Sequence, residues 1–340
     1  MFLVRTRLAA ASLAAISLVA CAASTSPSAS SSAGAMSPSA SGAPGAQEGA
    51  ATETSAVAAT AKGQLRWFGG PTVWIERGGL RILTDPMLSA RGPNAFVLPK
   101  HPSTGETNAP VARYTDPPDV PLGALDAIVI SHGHADHFDA RAKEILPKTT
   151  LVIVPPSAEA GVRAAGFTNV RALDWGQETQ LRNGASRLRI SAVAAHHAHD
   201  PGLDGDLGKG NGYVFTWESG TSPYVAYWTG DSVLSKEMDQ IPARFGPVHL
   251  FLPDMGAVGV DSRLGRRSMD ADEALRAAEL LRARRIIPIH HTTFGHYREP
   301  VAALVQRAAS KDKDKDKDKD KDASARLHVL REGELTALEP

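Results

Sequence analysis

ALDAIVISHGHADHFDA, residues 124–140, is the stretch on which the reading of this chain turns. From Ala127 it runs apolar up to Ser131, the pattern of a strand covered on both faces. His132-Gly133-His134-Ala135-Asp136-His137 follows at once, three imidazoles and a carboxylate in six residues, all donor types that zinc prefers. One loop with this spacing can aim His132 and His134 at one metal ion and Asp136 and His137 at another. A lone histidine after a strand is usually satisfied locally; four ligand-type residues packed this closely call for a different account.

Working outward, matching groups sit at the ends of other predicted strands. LRISAVAA (188–195) ends at His196-His197, YVAYWT (224–229) at Gly230-Asp231, and IIPIHH (286–291) in His290-His291. Ligands at strand ends converge on one edge of a sheet. His132, His134 and a later histidine account for one metal, and Asp136, His137 and another histidine for a second. Asp231 is left over, and a carboxylate can bridge two cations and partly neutralise their repulsion. Such a set suffices for two divalent metals sharing a hydroxide. Either member of each histidine pair remains open on this reading.

The rest of the body, from residue 63, alternates strands and helices. QLRWF (64–68), TVWIE (72–76) and LRILT (80–84) are separated by Gly-rich turns and predict a meander. Pro86 to Gly123 has no periodicity and is long for a loop, which points to a functional role or to packing over a site. Helices are predicted at 140–146 and 157–165, with a strand at 151–154 between them. Further strands are predicted at 212–217, 249–253 and 327–330, with helices at 269–285 and near 301–309. Two rounds of strands followed by helices imply two sheets packed together with helices outside. His101, His249 and His328 read as surface or core residues, whereas His199 and His296 lie near the site loops, within reach of a substrate.

Composition and charge narrow the function. Hydrophobic residues make up 42% of the 340 and charged residues 22%, which excludes collagen-like, coiled-coil and wholly disordered chains. Lys+Arg and Asp+Glu balance at 37 each, so no global positive field attracts phosphate backbones and no nucleic-acid partner is expected. Residues 1–20 have Arg5 and Arg7 followed by an apolar run too short to favour a spanning helix, and read as a secretory signal. They end Leu18-Val19-Ala20-Cys21, resembling a bacterial lipoprotein cleavage box, so a lipidated Cys21 is expected to anchor the protein to the cell-envelope membrane. Cys21 is the sole cysteine, which also excludes an internal disulfide. Residues 21–62, rich in Ser, Ala and Pro, cannot bury enough surface to offset chain entropy and read as a flexible tether. Residues 311–322 are six Lys-Asp repeats, a solvated loop within the body that spans 63–340.

The H-x-H-x-D-H motif resembles the signature of the metallo-β-lactamase superfamily. LTDPMLSARGPN (83–94), ISHGHADH (130–137), TGDS (229–232) and IPIHHTTF (287–294) resemble its N-acyl phosphatidylethanolamine phospholipase D and L-ascorbate phosphate lactonase branches. The resemblance spans residues 63–340, with the motifs in the family's order. It implies a four-layer αββα sandwich with the metals at one edge. It favours His197 over His196 and His290 over His291 as ligands, matches Asp231 to the bridging position, and gives Asp85 a role in orienting a ligand histidine. The family's frequent Gly-His-Ala-Thr is here Gly69-Gly70-Pro71-Thr72, without the histidine.

The resemblance thus implies a binuclear hydrolase whose bridging hydroxide attacks a phosphodiester or a lactone/ester, with Asp136 and Asp231 positioning it and handling its proton. The substrate is a small molecule or lipid-derived. Zinc leads as the metal, with manganese or iron as alternatives for a His/Asp site. Two other readings compete: a mono-iron oxidoreductase like the family's persulfide dioxygenases, and a metal-binding lipoprotein without catalysis. The oligomeric state is not legible.

Overall fold

The computed structural model describes residues 63–339 apart from 99, 101–104, 106–108, 120–121, 219–221, 261, 263 and 314–322. The expected signal segment, Cys21, the tether and most of the Lys-Asp run lie outside the described residues. The elements, in chain order, are β1 (Gly63–Trp67), β2 (Val73–Arg77), β3 (Leu80–Thr84), β4 (Gly92–Phe96), β5 (Val111–Arg113), β6 (Ala127–Val129), α1 (Ala140–Ile145), β7 (Leu151–Val154), α2 (Pro156–Ala164), β8 (Val170–Ala172), β9 (Glu178–Asn183) and β10 (Ser186–Ala195). There follow α3 (Asp204–Leu207), β11 (Gly210–Glu218), β12 (Tyr224–Trp228), α4 (Gln240–Phe245), β13 (Leu250–Leu252), α5 (Ala271–Leu280), β14 (Arg285–Ile286), α6 (Val301–Lys313), α7 (Ala323–Arg326) and β15 (Leu335–Leu338).

Two mixed sheets form, in the orders β15-β1-β2-β3-β6-β7-β8 and β14-β13-β12-β11-β10-β9, with β4-β5 a separate hairpin. Three apolar clusters show why they stack. Leu65, Ile75, Ile82 and Val129 from the first sheet meet Tyr213, Phe215, Trp217 and Trp228 from the second in one buried core. The outer face of the first sheet (Leu83, Ile128, Val152) packs on Ala142 of α1 and on Ala158 and Val162 of α2. The outer face of the second (Val225, Tyr227, Phe251) packs on Leu275 of α5 and Leu304 of α6. The layers therefore run helix, sheet, sheet, helix, the αββα sandwich the sequence implied. Tyr213 stacks on Trp228 with centroids 5.9 Å apart, an aromatic seam worth about 1 kcal/mol beyond its buried area. No helix among the described residues is long and apolar enough to cross a membrane.

Strand direction places the site. β3, β6 and β7 are parallel, as are β12, β13 and β14. Two antiparallel steps, β12 to β11 and β11 to β10, give β10 the direction of β12. The carboxyl ends of β3, β6, β10 and β12 thus deliver Asp85, His132, His197 and Asp231 towards one rim, the usual place for a site in an open α/β sheet.

Several local expectations change. The helix predicted over 269–285 is α5, capped by the Asp270 side chain accepting from Glu273 N and ended where Arg282 turns left-handed at φ 49°. The strand predicted over 286–291 shrinks to Arg285–Ile286, because Pro288 has no N–H to give and His290 sits at φ 57°. The expected strand at 327–330 makes only a single bridge, Leu327 to Ile286, and the closing strand is β15 on the other sheet. The aperiodic stretch after Pro86 contains the β4–β5 hairpin. Buried Arg113 fastens that hairpin by donating to the carbonyls of Thr115, Met87 and Phe68 at 2.8, 2.6 and 3.0 Å.

Candidate metal centre

The loop after β6 is held before any metal is considered. Ile130 N donates to Ile153 O at 2.8 Å and Asn211 N to Ser131 O at 2.8 Å, tying the loop to both sheets. His137 N closes a turn on His134 O, and the Asp139 side chain caps α1 by accepting from Ala142 N. These bonds gather His132, His134 and His197 in one group, and Asp136, His137, Asp231 and His290 in another, each with candidate ligand atoms within 4.8 Å of one another. The His132 and His137 ring centroids lie 4.0 Å apart, so the two groups share a border. Asp231 reaches across the second group, with Oδ2 3.5 Å from His137 Nε2 and Oδ1 3.5 Å from His290 Nε2.

A hydrogen-bond layer behind the rings sets which nitrogen faces inward. Asp85, fully buried at φ 27°, accepts from Ser131 N at 2.7 Å, from the Ser131 hydroxyl at 2.5 Å and from His137 Nδ1 at 2.5 Å. Ser131 Oγ in turn lies 2.9 Å from His132 Nδ1, and His290 Nδ1 donates to Met255 O at 3.0 Å. With Nδ1 occupied in each, the Nε2 atoms of His132, His137 and His290 are left to the centre. Asp85, read from the resemblance as a residue near the site, lies against His137 here.

The donor set passes a physical test for a cation. Asp136 Oδ1, His137 Nε2, both His197 nitrogens, Asp231 Oδ1 and His290 Nε2 are buried with no hydrogen-bond partner. Each such group costs about 1–3 kcal/mol if nothing satisfies it. His132 Nε2 faces His134 Nδ1 at 2.9 Å, bringing two imidazole nitrogens to one point. Burial, then neighbouring histidines, pushes His197 down to about 3; burial pushes His290 down to about 4, so both are neutral donors at neutral pH. Burial opposes ionisation of Asp136 and Asp231, but the nearby histidines outweigh it and hold both well below the usual carboxylate range. For His137, burial is outweighed by Asp231, Asp85 and Asp136, which raise it well above its ordinary value; a cation held there would take the place of that proton. Imidazole and carboxylate donors in this mixture suit a divalent transition metal.

The alternatives left open by the sequence separate in space. His197 joins His132 and His134, while His196 turns to Asp204, Nδ1 to Oδ2 at 2.7 Å. His290 enters the second group, while His291 packs under Trp67 with centroids 4.6 Å apart and places Nε2 3.2 Å from Pro288 O. His199 pairs with Glu273 at 2.6 Å, away from both groups. His296, read from sequence as a histidine near a site loop and within reach of a substrate, brings Nε2 to 3.3 Å from Asp136 Oδ2. Asp254 was not read from sequence at all. It is a fully buried carboxylate accepting from Trp228 Nε1 at 2.9 Å, and its only signal is its place at the end of the apolar run HLFLP.

Comparison with known proteins adds to this geometry. A family model described as a beta-lactamase superfamily domain matches residues 80–291. The chain spans 62% of the length of its mycobacterial relatives, to which it is 30% identical over 252 residues, or 71% of this chain. A UPF0173 metal-dependent hydrolase of Anaeromyxobacter sp. is 30% identical, the match covering 70% of this chain and 77% of the relative. The N-acyl-phosphatidylethanolamine-hydrolyzing phospholipase D 1 of Caenorhabditis elegans is 28% identical, with 69% and 66% covered. The solved isothiocyanate hydrolase from Delia radicum gut bacteria superposes with a TM-score of 0.64 at 23% identity, covering 82% of this chain and 100% of the other.

Proposed function

The chain belongs to the metallo-β-lactamase superfamily, and from that premise we propose that it is a hydrolase using two divalent cations, zinc first among them, on a phosphodiester or a lactone/ester. The observation that carries this reading is the pair of adjacent donor groups, His132/His134/His197 and Asp136/His137/Asp231/His290, with buried donor atoms that nothing else satisfies. Bound there, two cations supply Lewis acidity and lower the pKa of a water molecule towards neutrality.

The protein's own part is positioning. Asp85 and Met255 O fix the ring faces of His137 and His290. Asp231, between those two rings, and Asp136, beside His137 at 3.8 Å, hold negative charge where a nucleophilic water must be oriented and its proton accepted. His134 and Ala135 are partly exposed, so the centre is reached from that side. A phosphodiester is the first substrate class to test, because the C. elegans relative is named for hydrolysing a phospholipid.

The test is an activity screen of protein loaded with zinc, manganese or iron against lactones, phosphodiesters and N-acyl lipids, with metal content measured in parallel. The expected result is turnover with about two metals per chain, lost on chelation and regained on adding metal back. One iron per chain with oxidative rather than hydrolytic products would replace this reading with the persulfide dioxygenase-like one. Full metal content with no turnover on any class would favour a binding protein.

We also propose that Cys21 carries a lipid and holds the body at the envelope membrane, supported by its position after Leu18-Val19-Ala20 and by its being the sole cysteine. In a bacterial host, Cys21→Ser is expected to move the protein from the membrane to the soluble fraction and to abolish labelling by a fatty-acid analogue. Unchanged membrane association and labelling would refute the anchor.

A further inference from the structure

Six positions beyond His290, the chain brings a histidine to the centre that belongs to neither donor group. The His296 side chain is 9% exposed, and both its ring nitrogens are buried without a hydrogen-bond partner. Nε2 stands 3.3 Å from Asp136 Oδ2 without hydrogen-bond geometry. Its walls are aromatic: Phe96 meets it edge-on at 5.4 Å, Tyr297 lies at 4.5 Å and Phe294 at 6.0 Å. On the remaining side is ligand-group His290, with ring centroids 5.9 Å apart. An imidazole among aromatic rings, with a carboxylate at 3.3 Å on one side and neither nitrogen in a hydrogen bond, is costly to keep, and groups of this kind call for an explanation.

The backbone around it is fixed. Gly295 N donates to Ala112 O at 2.9 Å, and Arg298 N and Glu299 N both donate to Gly256 O, at 2.7 and 3.1 Å. Gly256 is at φ 94°, and a Cβ there would meet Tyr297 Cδ1 at 2.7 Å and His290 O at 2.9 Å, so the segment is pressed against the ligand-bearing turn. The ring is therefore held in advance at the border of the second donor group.

We infer that His296 is a substrate-contacting residue, whose ring N–H donates to an oxygen of the reacting phosphoryl or acyl group as that oxygen gains negative charge. The inference rests on the hydrolase reading above for its reaction, but its binding test does not. A donor fixed beforehand in an apolar cage favours the charged form of the substrate more than the same donor would in water. Asp136 Oδ2 stands 3.3 Å from Nε2 on one side of the ring, and Nδ1 has no partner. His296 is assigned to the substrate because, among the described residues, it falls in neither ligand group.

The probe is inorganic phosphate, titrated calorimetrically into zinc-loaded protein, with metal content and melting temperature measured for each variant. His296→Phe keeps a ring in the aromatic cage and removes both nitrogens; His296→Asn restores an N–H. The expected result is unchanged metal content in both, phosphate binding weakened about tenfold in His296→Phe, and partial recovery in His296→Asn. With any substrate found, His296→Phe should lower kcat more than it raises KM. Wild-type protein that binds no phosphate, a Phe variant that binds it as wild type does, or a variant that loses metal would each overturn the assignment. A phosphate effect without turnover on any substrate leaves the contact standing and removes the hydrolase reading. Turnover that is indifferent to His296→Phe does the reverse.

Discussion

His134→Ala is expected to abolish turnover and empty the first donor group while leaving the fold intact. His134 offers its Nδ1 to the point it shares with His132 Nε2 and His197, and no other described side chain can replace it there. With only His132 and His197 left, the group falls below the three protein ligands typical of a catalytic zinc. The loss should exceed the ~10²–10³-fold that removing one transition-state donor costs, because a whole cation goes with it. Stability should fall only modestly. His134 is partly exposed, and the substitution removes the 2.9 Å contact between its Nδ1 and the buried His132 Nε2. Leaving that nitrogen without a partner costs about 1–3 kcal/mol. His196→Ala is the control: the ring pairs with Asp204 outside both groups, so metal content should be kept. Metal analysis and hydrolysis on the same preparations decide the matter, and wild-type turnover in His134→Ala would remove the physical basis of the proposed chemistry.

The contrast between His134 and His196 shows what a sequence can and cannot reveal. The density of donors after a both-faces-buried strand is a local fact, visible without coordinates, and the rim follows once several strands end in ligand-type residues. Which member of a His-His pair turns inward is not local. In β10, side chains alternate faces, so a shift of one residue in the pairing of Ala195 with Gly210 would exchange His196 and His197. Only the resemblance to the superfamily favours His197 over His196. The same limit hid the edge strands. β8, β9 and β15 are short and carry mixed or mostly exposed side chains, so no apolar run or clean alternation marks them. His296 was only half legible, read as a histidine near a site loop and within reach of a substrate, for another reason. It gains its place only because the hairpin β4–β5, fastened by Arg113, brings Phe96 over the ligand turn, and nothing in residues 86–123 signals that hairpin. Asp85 was half legible: the Thr-Asp-Pro motif pointed to the site, but its three accepted hydrogen bonds depend on β3 lying beside β6.

Gly230→Ala is the second large effect, and it acts through shape. Gly230 sits at φ 57° between the end of β12 and the carboxylate Asp231. A Cβ there would lie 2.7 Å from Ser131 Cβ and 2.8 Å from Asn211 O, one on the loop that holds Asp85 and the other on the backbone of β11. Neither can yield cheaply, because Ser131 O already accepts from Asn211 N and Ser131 N already donates to Asp85. The left-handed backbone alone costs an alanine roughly 1–2 kcal/mol. Crowding a packed interior adds ~1–3 kcal/mol. Together these should lower the melting temperature of the metal-free protein by upwards of about 5 °C. The strain relaxes most easily by moving Asp231 or Ser131, and both routes disturb the second donor group: one shifts a carboxylate oxygen, the other releases Asp85 from His137. Gly230→Ala should therefore also lose the part of its stability that added metal restores in the wild type. Paired melting curves with and without zinc measure both quantities. A variant that melts within a degree of wild type and gains the same increment from zinc would show that the rim tolerates a side chain there, and that the close approach of β12 to the histidine loop is not what positions Asp231.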